Sequence, residues 1–213
     1  MDWATYILFS VAGHPVTLVE MLSVAFGFTC VILAAREKVA NFWVGYFYNI
    51  FLFVLFLHTR LYFSAALQPV SFVIAAVGHY KWTHPTQERA NRNKQLKIST
   101  LTARQRIIVP LAVLSVAAFL GWAMQGAGEK WPESFPPAQY PYIDACVTVL
   151  FLVSAYLSAH KKLECWISWI TADIIQIVLY LLSGLVFMPL VCFGYTTISA
   201  IGLASWHHKM KDQ

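Results

Sequence analysis

The chain has 213 residues, 59% of them hydrophobic and only 12% charged, with a formal net charge of +5 and a mean hydropathy of +0.60. A soluble domain carries about twice that share of charge, and the apolar residues here come in long blocks, as they do when lipid is the solvent. A soluble globular protein is thereby excluded. The four cysteines (Cys30, Cys146, Cys165 and Cys192) lack CxxC spacing and point to neither a zinc site nor a disulfide framework.

The opening MDWATYILFSVAG has no basic start and only a short apolar run, so residues 1–16 read as an interfacial segment rather than a cleaved signal peptide. A spanning helix needs about 20 apolar residues. Seven candidates follow in order, at 17–35, 41–57, 61–80, 107–124, 143–160, 165–182 and 185–206. Between them lie a basic loop at 83–106 and a second loop at 125–142, and a tail at 207–213 closes the chain.

Charge orients the bundle. With the N-terminus outside, 13 of the 15 lysines and arginines fall in inner loops and the tail, and only Arg60 and Lys130 lie outside. The excess of inner positive charge predicts a multi-pass membrane protein with its N-terminus outside and its C-terminus in the cytoplasm. It also accounts for the basic loop without any nucleic-acid partner.

An internal repeat appears when the chain is compared with itself at an offset of 124 residues. Gly78 and Trp82 then fall on Gly202 and Trp206, Lys38 on Lys162, Ala35 on Ala159, Leu61 on Leu185, and Asn49 on Asp173. The expected fold is therefore all-α and membrane-integral, with two parallel three-helix repeats (17–82 and 143–206) joined by a linker helix at 107–124. Parallel repeats of this kind are one of the known transporter plans, with the substrate site between the halves near the midplane.

The stretch ECWISWITADIIQ, residues 164–176, carries the most unusual residue. At the helical period Trp166, Trp169, Asp173, Gln176 and Tyr180 share one face, within an arc of about 100°. An ionised carboxylate at mid-span costs roughly 2.5–3.5 kcal/mol on insertion scales, and no lysine or arginine lies at that depth to offset it. Asp173 is then either protonated and hydrogen-bonded to another helix, or it meets a cation from outside, which tryptophan faces also attract. Other polar or aromatic side chains at similar depth are Asn49, Gln68, Phe72 and Tyr195. Each has a plain alternative role: Asn49, Gln68 and Tyr195 in helix–helix contacts, and Trp166 and Trp169 as interfacial anchors. Gly45, Gly78 and Gly202 read as close-packing positions, Trp82 and Trp206 as anchors at inner helix ends, Asp144 as a helix-start residue, and His207, His208 and Lys209 as a solvated tail.

The chain resembles the bacterial Pnu transporters over nearly its whole length. The resemblance rests on the 3+1+3 layout and on WISWITAD, which matches a W-x-x-W-x-x-x-[N/D] element. NFWVGYFYN, RLYFSAALQ and GHYKW in the first repeat add to it. It implies a fold shared with the SWEET sugar transporters and a central vitamin site to which Trp166, Trp169, Asp173 and Gln68 contribute. It further implies facilitated diffusion of nicotinamide riboside, an NAD precursor, trapped inside by a cytoplasmic kinase, with no cofactor. A homotrimer follows only by analogy with the shared fold. The sequence departs from many nicotinamide riboside carriers in having ECW for ENW, GHY for GWY and NFWVG for NWPVG, and relatives carry thiamine or riboflavin. The vitamin therefore stays open between nicotinamide riboside and thiamine, both flat cations.

Other classes fare worse. A retinal photoreceptor needs a mid-membrane lysine, and an intramembrane enzyme needs a reactive set of side chains that a single deep acid does not supply. A non-transporting membrane scaffold remains the alternative from another class, and it would tolerate loss of Asp173.

Overall fold

The computed structural model describes residues 6–11, 13–58, 62–89, 95–133, 140–182 and 187–212. Seven long helices account for most of them: α1 (Leu18–Ala35), α2 (Ala40–His58), α3 (Tyr62–Thr83), α4 (Ala103–Lys130), α5 (Pro141–Ala159), α6 (Glu164–Leu182) and α7 (Phe187–Lys211). Among the described residues α1, α4, α5, α6 and α7 are long and apolar enough to cross a membrane, and α2 has a shorter apolar stretch, Ala40–Val54. α3 is more polar, carrying Gln68, Pro69, His79 and Lys81. The outward side chains of α4, such as Leu111, Leu114 and Phe119, are exposed, as a lipid-facing surface requires.

Helix starts follow local chemistry. Thr17 and Glu20 form a reciprocal cap at the head of α1, and Thr102 and Gln105 do the same for α4, satisfying amide donors that the first turn cannot pair. Pro141 opens α5, where its missing N–H costs nothing.

Three segments differ from expectation. The N-terminal stretch contains an antiparallel hairpin, β1 (Ile7–Val11) with β2 (His14–Thr17), where the sequence suggested only an interfacial segment. Gly13, with φ +83°, makes the turn. The linker helix starts earlier and ends later than 107–124. α7 runs on through His207, His208 and Lys209 to Lys211, because no glycine or proline follows Gly202 to interrupt it. Arg60, Leu61, Arg92, Lys94 and Leu185 lie outside the described residues.

The helix packing is consistent with a repeat at an offset of 124. α1 packs on α2 and α2 on α3, α5 on α6 and α6 on α7, and the two triplets meet through α1 against α7 and α3 against α5. α4 packs on α5. Helix ends agree in detail. Glu37 N–H donates to Ala34 O and Lys38 N–H to Leu33 O, while Lys161 N–H donates to Ser158 O and Lys162 N–H to Leu157 O. Glu37 and Lys161 both adopt the left-handed backbone, at φ 56° and 47°, the usual way to end a helix.

The aromatic core is equally paired. Phe42 meets Trp82 edge-on at 5.1 Å and 88°, and Trp166 meets Trp206 at 5.3 Å and 90°. Trp82 and Trp206 then meet each other at 6.0 Å. Both are buried in the core, so they are packing residues and not the interfacial anchors that their place at helix ends suggested. Because Glu37 and Lys161 also touch, the C-terminal ends of α1 and α5 lie at the same end of the bundle. This is the placement that two parallel triplets require.

Candidate functional site

Asp173 sits on α6 with only 3% of its surface exposed. Among the described residues its carboxylate has no hydrogen bond and no ion pair. It lies within electrostatic reach of Tyr48 on α2 and of Cys192 and Tyr195 on α7. Three helices drawn from both triplets thus converge on one acid.

Tyr195 is held firmly. Its ring stacks on Phe28 at 4.4 Å and 12°, and its hydroxyl donates to Val24 O at 3.4 Å. Gly27 leaves the space into which that hydroxyl reaches, with the Tyr48 ring on the same spot. A side chain on α1 there would displace both phenols. The sequence reading did not single out Tyr48 or Gly27. The available signal was Tyr48 beside Asn49, the repeat mate of Asp173, at the position where the second repeat has Ala172, which is fully buried.

The remaining candidates divide. Trp169 is half-buried and lies 5.1 Å from Trp166, at 71°. Trp166 itself is fully buried, pressed onto Gly202, and its indole N–H has no partner among the described residues. It belongs to the aromatic core as much as to the acid's surroundings. Asn49 is buried and donates from Nδ2 to Gly45 O at 2.8 Å, one turn back on α2. Gln68 is half-buried on α3. Phe72 is 39% exposed and lies against Tyr46 at 4.8 Å. Tyr46 in turn bonds His79 Nδ1 at 3.1 Å, so Phe72 joins a cluster on α2 and α3 away from the residues around Asp173.

A buried acid with no cation beside it among the described residues, two phenols within electrostatic reach and indoles along its own helix face, is chemistry for holding a flat cation. The carboxylate supplies charge and the rings supply polarisable faces. Among the described residues no group of three or more histidines, cysteines or acids could hold a metal ion.

Residues 17–208 match the family model described as nicotinamide mononucleotide transporter. The chain belongs to that family. The transporter is 28% identical to the nicotinamide riboside transporter PnuC of Escherichia coli K12, over 94% of this chain and 90% of that one. It is 24% identical to the riboflavin/roseoflavin transporter RibM of Streptomyces davaonensis, over 97% and 92%. Its fold matches the crystal structure of the vitamin B3 transporter PnuC with a TM-score of 0.69 at 19% identity, covering 91% of this chain and 82% of that one. The family and the fold are those of multi-pass membrane transporters, so the enzyme and scaffold readings are set aside.

Proposed function

We propose that the transporter carries nicotinamide riboside across the bacterial inner membrane, held at a central site by Asp173 with Trp169, Tyr195 and Asn49. The observation that carries this reading is the buried Asp173 carboxylate, with no cation paired to it among the described residues. A pyridinium would neutralise it, and amide and phenol groups suit ribose hydroxyls. The PnuC relative supports the same vitamin. The RibM relative carries a neutral one, for which a buried acid offers no advantage. Transport is uncoupled facilitated diffusion, made one-way by phosphorylation of the vitamin inside the cell. The excess of positive charge supports a cytoplasmic position for the Glu37–Lys161 end of the bundle. Thiamine is the second reading, because its thiazolium is also a flat cation.

Titration calorimetry of the purified transporter with nicotinamide riboside, thiamine and riboflavin tests this directly. Nicotinamide riboside is expected to bind, and Asp173→Leu to weaken it by about 10–100-fold, the scale of a lost charge-assisted contact. Binding of thiamine in its place would move the substrate assignment. Unchanged binding in Asp173→Leu would remove the role given to the acid.

A further inference from the structure

Glu37 and Lys161 are 124 residues apart, the repeat offset itself, so they are one position seen twice. Both occupy the left-handed conformation that ordinarily falls to glycine. A non-glycine residue there costs on the order of 1–3 kcal/mol, and such strain collects where a side chain has work to do. Here both side chains do the same thing: they reach across the boundary between triplets and meet. Lys161 Nζ lies 2.5 Å from Glu37 Oε2, with the two side chains 2% and 9% exposed. Lys209 of α7 adds a second ammonium 2.9 Å from Glu37 Oε1, and the Trp82 ring lies 4.7 Å from Lys161 Nζ.

The two seams between triplets are not held alike at this end. On the α3–α5 seam, Trp82 donates its indole N–H to Ser158 O at 3.2 Å, and Lys81 bonds His160. The turn after α5 is further tied to the strap 95–101. Ser99 N–H donates to Lys161 O, Leu163 N–H to Ser99 O, and both Glu164 oxygens accept from Leu101 N–H at 3.0 Å. On the α1–α7 seam the equivalent indole, that of Trp206, is fully buried yet has no hydrogen-bond partner among the described residues, although Ala34 O is the carbonyl that symmetry assigns to it. Position 40, the counterpart of Glu164, is an alanine. Among the described residues, the side-chain polar contacts tying the α1–α2 turn to the opposite triplet at this end are those of Glu37 with Lys161 and Lys209.

We propose that Glu37 is the latch of a gate at this end of the transporter, and that the gate opens along the α1–α7 seam when Glu37 leaves Lys161 and Lys209. An ion pair suits a contact that must break and reform. Burying it gains little over hydrating its members separately, so parting exposes charges that water accepts, whereas an apolar seam of equal size would resist. The α3–α5 seam, riveted by its hydrogen bonds and strap, stays closed and acts as the hinge side. The inference rests on the transporter reading but not on which vitamin is carried.

The test needs no substrate. A reporter cysteine is placed at Ala34 (Ala34→Cys) on the seam expected to open, or at Ser158 (Ser158→Cys) on the seam expected to stay shut. Alkylation by a water-soluble maleimide is then followed by peptide mass spectrometry in the full-length transporter. Adding Glu37→Gln leaves the buried ammonium of Lys161 uncompensated and frees the partly exposed one of Lys209, and is expected to speed labelling of Ala34→Cys by about tenfold or more. Labelling of Ser158→Cys and of native Cys146 should not change. No change at Ala34→Cys overturns the proposal. So does an equal rise at all three cysteines, which would mean a loosened fold. As a second measurement, Glu37→Cys with Lys209→Cys is bridged by a reducible bifunctional thiol reagent and assayed for nicotinamide riboside counterflow in proteoliposomes, with the single variants treated in parallel. Arrest that reductant reverses supports the latch, and undiminished transport while bridged overturns it. If the unbridged parent carries no nicotinamide riboside, the vitamin assignment falls and the labelling result alone decides the latch.

Discussion

Gly202 lies against Trp166 so closely that a Cβ built on it would stand 2.6 Å from Cη2 of the indole, and Gly78 stands in the same relation to Phe42, at 2.6 Å from Cε1. The glycine of each G-x-x-x-W element is thus the floor on which the aromatic of the preceding helix rests, and the tryptophan one turn on closes over it. Two triplets with little sequence in common share this because the volume they must fill is the same.

Gly202→Ala should therefore destabilise the transporter by about 1–3 kcal/mol, the range for overpacking a rigid core, because a fully buried indole cannot retreat. Gly45→Ala is the contrast. Its new methyl would meet only Cys30 Sγ at 3.6 Å, an ordinary contact, and stability should stay within about 1 kcal/mol. Thermal unfolding in detergent, monitored for both variants against the parent, checks the pair.

Gly27→Ala forces the Tyr195 hydroxyl out of its place on α1. Loss of stability is expected, and Tyr195→Phe in the same chain should restore part of it by removing the atom that collides. A double-mutant cycle measured by thermal unfolding should give a favourable coupling of at least about 0.5 kcal/mol. Strict additivity would show that the contact does not determine the tyrosine's position.

Glu164 ties the strap to α6 through Leu101 N–H, and it also pairs with Arg106 at 3.2 Å. Arg106 is largely exposed, so the ion pair itself counts for little. The amide bonds carry the effect, at about 1.5–3 kcal/mol for a hydrogen bond to a charged group. Glu164→Gln should speed hydrogen exchange at Leu101 while leaving the middle of α6 protected, which peptide-resolved exchange would show.

The latch should also respond to pH at both extremes. Burial pushes the Glu37 carboxyl up, but Lys161 and Lys209 more than offset it and hold it below the usual carboxylate range. Burial lowers the Lys161 ammonium, more than Glu37 raises it. The two directions disagree on whether ionisation is favoured. The short contact and the second lysine at Glu37 decide for the ionised arrangement. With its folded value depressed, Glu37 contributes stability that is present in full above the ordinary carboxylate range and is lost as pH falls through the lowered value. Lys161 sheds its charge as pH rises through its own lowered value, in a window where folding gains from the neutral amine but the latch loses its ion pair. Labelling of Ala34→Cys should be slow and flat through neutral pH, after correction for reagent and thiol reactivity. It should quicken only in acid below the carboxylate range and in alkali short of the usual ammonium range.

The sequence by itself determined that this is a membrane protein of seven helices in a 3+1+3 order, because hydropathy in lipid is read from composition and block length alone. It also pointed to a repeat, since Gly78 with Trp82 and Gly202 with Trp206 recur at a fixed offset, and it marked Asp173 as an acid without a cation at its depth. Only the tertiary structure decided which aromatics are core. Trp166, Trp82 and Trp206 have the composition of anchors or ligands, and packing onto Gly202 and onto one another depends on where helices cross, which periodicity within one helix does not contain. The same holds for Tyr48 and Gly27, which meet Tyr195 only because α1, α2 and α7 converge. Lys209 looks like part of a solvated tail until the end of α7 is laid beside the turn after α1. Glu37 and Lys161 are adjacent to matched pairs in the repeat, yet their opposite charges hide the match in a comparison of residue types. Their equivalence shows only when both backbones turn left-handed and the two side chains close on each other.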